Sequence, residues 1–333
     1  MSDDDSLFAI TIEAHRVPLP VGISEQARAM LQQLYESVVV AGLTPDPADH
    51  SAWRAFVENA NAEILKNSPM YSVAKRPGIS CETVQISGVT VHIACPADLP
   101  PNRAGKVYLE MHGGGLVLLE GEGARRGALR EAERLAIRTV SIDYRVPPDF
   151  PYPAALDDCL AVYQATLQDY APQDILIGGV SGGGNLAAAL PLRIRDEGLP
   201  LPAGVVLLSP EVDLTESGDT FETFAGLDPI IPGRLTDQIR AYAPGRDLRT
   251  PYLSPLFADF SKGYPPTFLQ SGTRDMFLSN TVRMHRALRS AGVPAELNVW
   301  EGMPHPEFQG APEDDEITAE IRVFIDKVTQ RNR

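Results

Sequence analysis

The chain has 333 residues, 44% apolar and 22% charged, enough for a sizeable core in one large α/β domain or two smaller ones. A formal net charge of −15 argues against nucleic acid or an anionic membrane as partner and suits an uncharged or cationic small molecule. No run approaches the roughly 18 apolar residues of a membrane span, and Cys81, Cys95 and Cys159 have no metal-ligand spacing, so neither stable membrane insertion nor a metal is expected.

The start, Met1-Ser2-Asp3-Asp4-Asp5, is acidic and lacks the apolar core of a signal peptide, so a cytoplasmic location with reduced thiols is expected. Residues 1 to about 75 read as a helical segment. Ala27, Met30, Leu31, Leu34 and Val38 recur at helical spacing, as do Trp53, Phe56, Val57, Ala60 and Ile64. From Val84 to Ile93 the period changes to two around Ser87-Gly88, which predicts a β-hairpin. Val107–Met111 reads as a strand running into His112-Gly113-Gly114-Gly115. A helix over 124–136, a strand over 139–142, a proline-rich loop and a helix over 154–167 follow.

Further strands are expected at 174–177, 204–208, 267–270 and 295–300, with helices from 185, over 235–243, 281–290 and 316–328. Pro191 falls inside the helix that starts near 185, where it should remove a backbone bond and bend the axis. The alternation of strand and helix from about 106 onward predicts a mostly parallel, twisted sheet flanked by helices. Residues 76–333 would form this catalytic domain. The segment 1–75 and an insertion near 215–250, rich in Phe221, Phe224, Leu227, Ile230 and Ile231, would cap the strand ends.

Gly179-Val180-Ser181-Gly182-Gly183 lies between the strand ending near Ile177 and the helix from Asn185, the context of a G-x-S-x-G nucleophile elbow. Ser181 is therefore the expected nucleophile, with the helix N-terminus aimed at the charge it develops. A serine hydroxyl needs a base. In the chain order serine, acid, histidine, only His285 and His305 follow Ser181. His285 sits within a helical run. His305 lies in a loop just past a strand and is the expected base. Asp275, after the strand 267–270, is the expected acid; Asp213, after the strand 204–208, is its rival. The side-chain-free amides of the run His112-Gly113-Gly114-Gly115, together with the N–H of Gly182, are the expected oxyanion hole, with His112 holding the glycine loop.

With these residues in hand, the chain resembles the hormone-sensitive-lipase-like (bacterial family IV) esterases of the α/β-hydrolase fold. The resemblance covers about residue 80 to the C-terminus, and the N-terminal helices resemble that family's cap. It rests on His112–Gly115, Asp143-Tyr144-Arg145 with Pro151–Asp158, the elbow with Asn185-Leu186-Ala187, Ser209-Pro210 with Val212-Asp213-Leu214, and Gly302-Met303-Pro304-His305. It implies hydrolysis of short- to medium-chain carboxylic esters through an acyl-enzyme, with the N–H groups of Gly114, Gly115 and Gly182 as the oxyanion donors, a small-molecule ester as substrate, and no cofactor. A homodimer is left open. The chain departs from the family pattern at Val180, Gly182, Glu211, Met276 and Ser279 and at Pro191. The same triad would also serve a lactonase, an amidase or a thioesterase. A non-catalytic ligand receptor on this fold is the alternative from another class; such a receptor is expected to lack the base, and His305 is present.

Overall fold

The computed structural model describes residues 16–36, 44–72 and 78–330. Its described strands form one eight-stranded sheet in the order β1-β2-β4-β3-β5-β6-β7-β8. The predicted hairpin is β1 (Ile79–Ile86) and β2 (Val89–Pro96), paired antiparallel from Ile86↔Val89. Ser87 and Gly88 both take positive φ, 51° and 82°, as a two-residue hairpin turn requires. Strand β2 pairs antiparallel with β4 (Arg138–Ile142). From there β3 (Val107–Met111), β5 (Ile175–Val180), β6 (Gly204–Leu208), β7 (Thr267–Gly272) and β8 (Ala295–Trp300) run parallel.

Strands β3, β6 and β7 are buried along their whole length, and β6, Gly204–Leu208, accordingly reads as a continuous apolar run. Successive side chains feed opposite faces. Leu109, Ile177, Val205 and Leu207 join one core with Leu156, Leu186 and Met284. These come from α4 (Ala154–Thr166), α5 (Gly182–Asp196) and α8 (Leu278–Ser290). Tyr108, Leu176, Val206 and Phe268 face the other way, against Ile317, Ile321 and Phe324 of α9 (Pro312–Gln330) and Ala27 and Leu31 of α1 (Glu25–Glu36). Helix α5 runs through Pro191 unbroken and starts at Gly182, three residues earlier than its apolar run suggests, because glycines carry no hydrophobic signal. Val38, assigned from its spacing to the first helix, lies outside the described residues.

The N-terminal helices are tied to the α/β body. Ser24 donates its N–H and hydroxyl to Glu313 at 2.7 and 2.9 Å. Helix α2 (His50–Asn67), N-capped by Asp49, sinks Trp53 and Val57 into the first core, and its Asn61 accepts the N–H of Leu119 at 2.8 Å. The insertion carries α6 (Thr220–Thr223) and α7 (Thr236–Tyr242). It meets the N-terminal segment through Tyr35 Oη to the Leu227 carbonyl, 2.5 Å, and Thr44 Oγ1 to Asp237, 2.6 Å. Of its apolar residues, Phe221 and Ile231 cluster with Met276 and Phe277, whereas Ile230 is exposed.

A buried charged cluster lies between β3, the sheet-facing side of α3 (Glu122–Leu135) and the loop after β8. Arg130 pairs with Glu131 at 2.9 Å and with Glu307, and Glu110 accepts from Ser141. Burial pushes the Glu110 carboxyl from an ordinary 4.5 up to about 8, against the pull of the Ser141 hydrogen bond. Its folded value exceeds its unfolded one, so the folded chain keeps a proton that the unfolded chain has lost between those two values. Stability is therefore expected to fall as pH rises from about 5 to about 8, by up to about 1.4 kcal/mol per unit. Glu110→Gln keeps a partner for Ser141 and should flatten that slope. Denaturant midpoints at pH 5, 6.5 and 8 measure it, and an unchanged slope in the variant would show that Glu110 ionises freely in the folded chain.

Candidate active site

The parallel strands β5, β7 and β8 end on one edge, and the loops carrying Ser181, Asp275 and His305 leave from those ends. Ser181 stands between β5 and α5 with φ 58° and ψ −125°, a backbone conformation that non-glycine residues rarely adopt and that the surrounding structure must hold. Its N–H donates to the Leu208 carbonyl at 3.0 Å. Its own carbonyl accepts from Asn185 at 3.2 Å and Glu211 at 3.1 Å. Asn185 in turn donates its amide to the carbonyls of Glu211 and Leu253 at 2.7 and 2.8 Å. The elbow is thus fixed to Leu208 at the end of β6, to Glu211 just beyond it and to Leu253 by four hydrogen bonds of 3.1 Å or less.

His305 and Asp275 meet, with His305 Nδ1 3.1 Å from Asp275 Oδ1. Ser271 Oγ donates to Asp275 Oδ2 at 2.5 Å and the Phe277 N–H to Oδ1 at 2.9 Å. Full burial pushes the Asp275 carboxyl up, but hydrogen bonds and charge from His305 and the neighbouring serines outweigh it, and the group lies below the ordinary carboxylate range. The Phe277 ring stands edge-on to His305, 5.0 Å between centroids. The rival acid is engaged elsewhere: Asp213 accepts from Thr215 at 3.0 and 2.5 Å, Ser217 at 2.8 Å and Arg283 of α8 at 2.6 Å. His285 is half-buried on α8.

The glycine loop lies directly against the elbow. A Cβ on Gly182 would fall 2.5 Å from the Leu116 nitrogen and 3.0 Å from the Gly115 carbonyl carbon. This explains the loss of the alanine that the resemblance leads one to expect beside the serine: the loop comes too close for any side chain there. Gly182 is also the first residue of α5, so its N–H has no intrahelical acceptor. Gly114 has φ +111°, and a Cβ there would meet the Leu118 carbonyl oxygen at 2.4 Å. His112 is neutral and structural in its contacts. It stacks on Tyr144 at 4.0 Å, its Nδ1 is 2.9 Å from the Gly113 oxygen, and burial pushes it down to about 4. Gly182→Ala should push the glycine loop away from Ser181, lowering kcat about ten- to hundredfold and the melting temperature with it. Steady-state kinetics with a thermal melt measure this; full activity would mean that the loop yields at no cost to its donors.

Sequence reasoning missed Asp228. It reaches from the insertion to accept the Met276 N–H at 2.9 Å, and the N–H groups of Ile230 and Ile231 at 2.9 and 3.2 Å. It is fully buried, and burial together with the Asp275 charge pushes it up to about 6. Its only signal in the sequence was the turn-forming pair Asp228-Pro229. It anchors the insertion to the residue after Asp275. Arg274, on the other side of Asp275, donates to Tyr35 Oη of α1 at 3.2 Å. The N-terminal segment and the insertion therefore both reach the chain beside Asp275.

Comparison with known proteins bears on the fold and the class of activity. The sequence model of the alpha/beta hydrolase fold family matches residues 108–309. An esterase from Acinetobacter venetianus is 34% identical over 210 residues, 60% of this chain and 67% of that protein. An acetyl-hydrolase from Streptomyces hygroscopicus is 31% identical over 62% of this chain and 69% of that protein. A crystallised esterase superposes with a TM-score of 0.89 at 35% identity, covering 96% of this chain and 98% of the other. An esterase from the bacterial hormone-sensitive lipase family superposes with a TM-score of 0.78 at 29% identity, covering 92% and 99%. The chain belongs to the alpha/beta hydrolase fold family, among its carboxylic ester hydrolases of the hormone-sensitive-lipase type. Among the described residues no helix is long and apolar enough to cross a membrane.

Proposed function

We propose that the chain hydrolyses short- to medium-chain carboxylic esters through an acyl-enzyme on Ser181. The observation that carries this reading is the 3.1 Å contact between His305 Nδ1 and Asp275 Oδ1 at the strand ends that also present the Ser181 elbow. In this reading Asp275 holds the imidazole so that Nε2 faces the serine and takes its proton as Oγ attacks the ester carbonyl. The tetrahedral oxyanion is received by the N–H groups of Gly114, Gly115 and Gly182. His305 returns the proton to the leaving alcohol, and a water activated in the same way releases the acid.

The limit on acyl length comes from the cap. Leu235 Cδ1 lies 3.7 Å from where a Gly115 Cβ would stand, and Phe221 and Ile231 pack on Phe277 beside His305, so the insertion covers the approach to the serine with apolar side chains. Helix α2 closes the other side through Asn61 and Trp53. Similarity to an esterase and to an acetyl-hydrolase favours small acyl groups. Rates on p-nitrophenyl esters should peak at roughly two to eight acyl carbons and drop at least tenfold by palmitate. Equal rates on butyrate and palmitate would remove the cap from the proposal. Labelling by a fluorophosphonate at any residue other than Ser181, located by mass spectrometry, would remove the acyl-enzyme assignment.

A further inference from the structure

We infer that Glu211 is a specificity residue that makes the site prefer esters bearing a hydroxyl group near the scissile bond over their purely aliphatic isosteres. The inference rests on the esterase reading above and adds a substrate class to it.

Glu211 is joined directly to the nucleophile, since its N–H donates to the Ser181 carbonyl at 3.1 Å. Its side chain is 2% exposed, and Oε2 has no hydrogen-bond partner among the described residues. Buried polar atoms in folded proteins are almost always partnered, so a carboxyl left open one residue's reach from a nucleophile points to a group that arrives with the substrate. A second open polar atom is nearby. The Tyr242 hydroxyl of α7 is buried without a partner, and after burial itself the Glu211 charge is among those that push its phenol up. Glu216 bridges this corner to the oxyanion loop. It acts on Glu211 electrostatically and accepts the Leu235 N–H at 2.6 Å and the Thr236 hydroxyl at 2.8 Å. Leu235 Cδ1 lies 3.7 Å from where a Gly115 Cβ would stand. Tyr242 ends α7, the helix whose start at Leu235 and Thr236 is held by Glu216.

The chemistry of the partner follows from the carboxyl. Burial, then the nearby Glu216, push Glu211 up to about 8, so near neutral pH it is mostly a neutral acid that both donates and accepts. A cation would gain little from it. A hydroxyl matches a donor–acceptor group, while a methyl in the same place would leave the carboxyl unpaired. Sites built to bond a substrate hydroxyl discriminate against analogues that lack it for this reason.

Two isosteric pairs test the inference: 2-hydroxyethyl butyrate against propyl butyrate on the alcohol side, and methyl 3-hydroxybutyrate against methyl 3-methylbutyrate on the acyl side. In the wild type the hydroxyl ester of at least one pair should have a kcat/KM about tenfold or more above its isostere. Glu211→Leu should bring that ratio to one or below, and Glu211→Gln, which keeps a donor and an acceptor, should retain most of it. Ratios within twofold for both pairs in the wild type would overturn the inference, whether or not Glu211→Leu folds. So would a preference that survives in folded Glu211→Leu. Absence of turnover on all four esters would overturn the esterase reading and this inference with it; turnover without the preference overturns the inference alone.

Discussion

Ser181→Ala is expected to lower kcat for p-nitrophenyl butyrate by about 10⁶-fold, to the level of the background reaction, while the folded chain keeps its melting temperature within a few degrees. The hydroxyl is the only atom group removed. The backbone hydrogen bonds that fix the elbow, Ser181 N–H to Leu208 and the Ser181 carbonyl from Asn185 and Glu211, do not involve it. Alanine tolerates φ 58° no better and no worse than serine, so the strain at the turn is unchanged. The loss in kcat should come with KM nearly intact, because in the proposed mechanism Oγ acts in bond formation and not in substrate binding. A folded Ser181→Ala protein that retains even one part in a hundred of wild-type kcat would require another nucleophile.

Asp275→Asn is expected to cost about 10⁴-fold in kcat, the second largest effect. The asparagine is nearly isosteric and can still be reached by Ser271. Its amide, however, cannot serve as an anion facing Nδ1 of His305, so the ring settles in the tautomer that turns a protonated nitrogen toward Ser181. It also removes the charge that stabilises the imidazolium formed in the transition state. Asp213→Asn should change kcat by no more than a few fold, because that carboxylate is spent on Thr215, Ser217 and Arg283. It should instead lower the melting temperature by freeing the Arg283 side chain and leaving a buried site short of an acceptor. Kinetics and melts on both variants decide the matter. A larger kcat loss for Asp213→Asn in folded protein would move the acid to Asp213.

Much of the fold was legible because its signals are local. The two-residue period around Ser87-Gly88 marks a hairpin, since a strand with one buried face must alternate. The continuous apolar run at 204–208 marks a strand buried on both faces. The elbow announces itself because a strand-to-helix turn this tight excludes side chains, which leaves glycines in the sequence. Boundaries were less legible. Helices α5 and α9 begin three and four residues before their first apolar residues suggest, at glycine, proline and acidic positions that satisfy the helix start rather than the core.

By itself the sequence determined the alternating α/β architecture, the strand–turn–helix around Ser181 and the loop position of His305, because each depends on residues close together in the chain. The tertiary structure alone decided which acid meets His305. Asp275 and Asp213 both follow strands, and only the order β6-β7-β8 puts the loop after β7 next to that after β8 while Arg283 of α8 draws Asp213 away. Tertiary structure likewise decided the reach of Asp228 to Met276 and the burial of Glu211 Oε2, unpartnered among the described residues. Each of these depends on contacts between segments dozens of residues apart, which no local period or motif records.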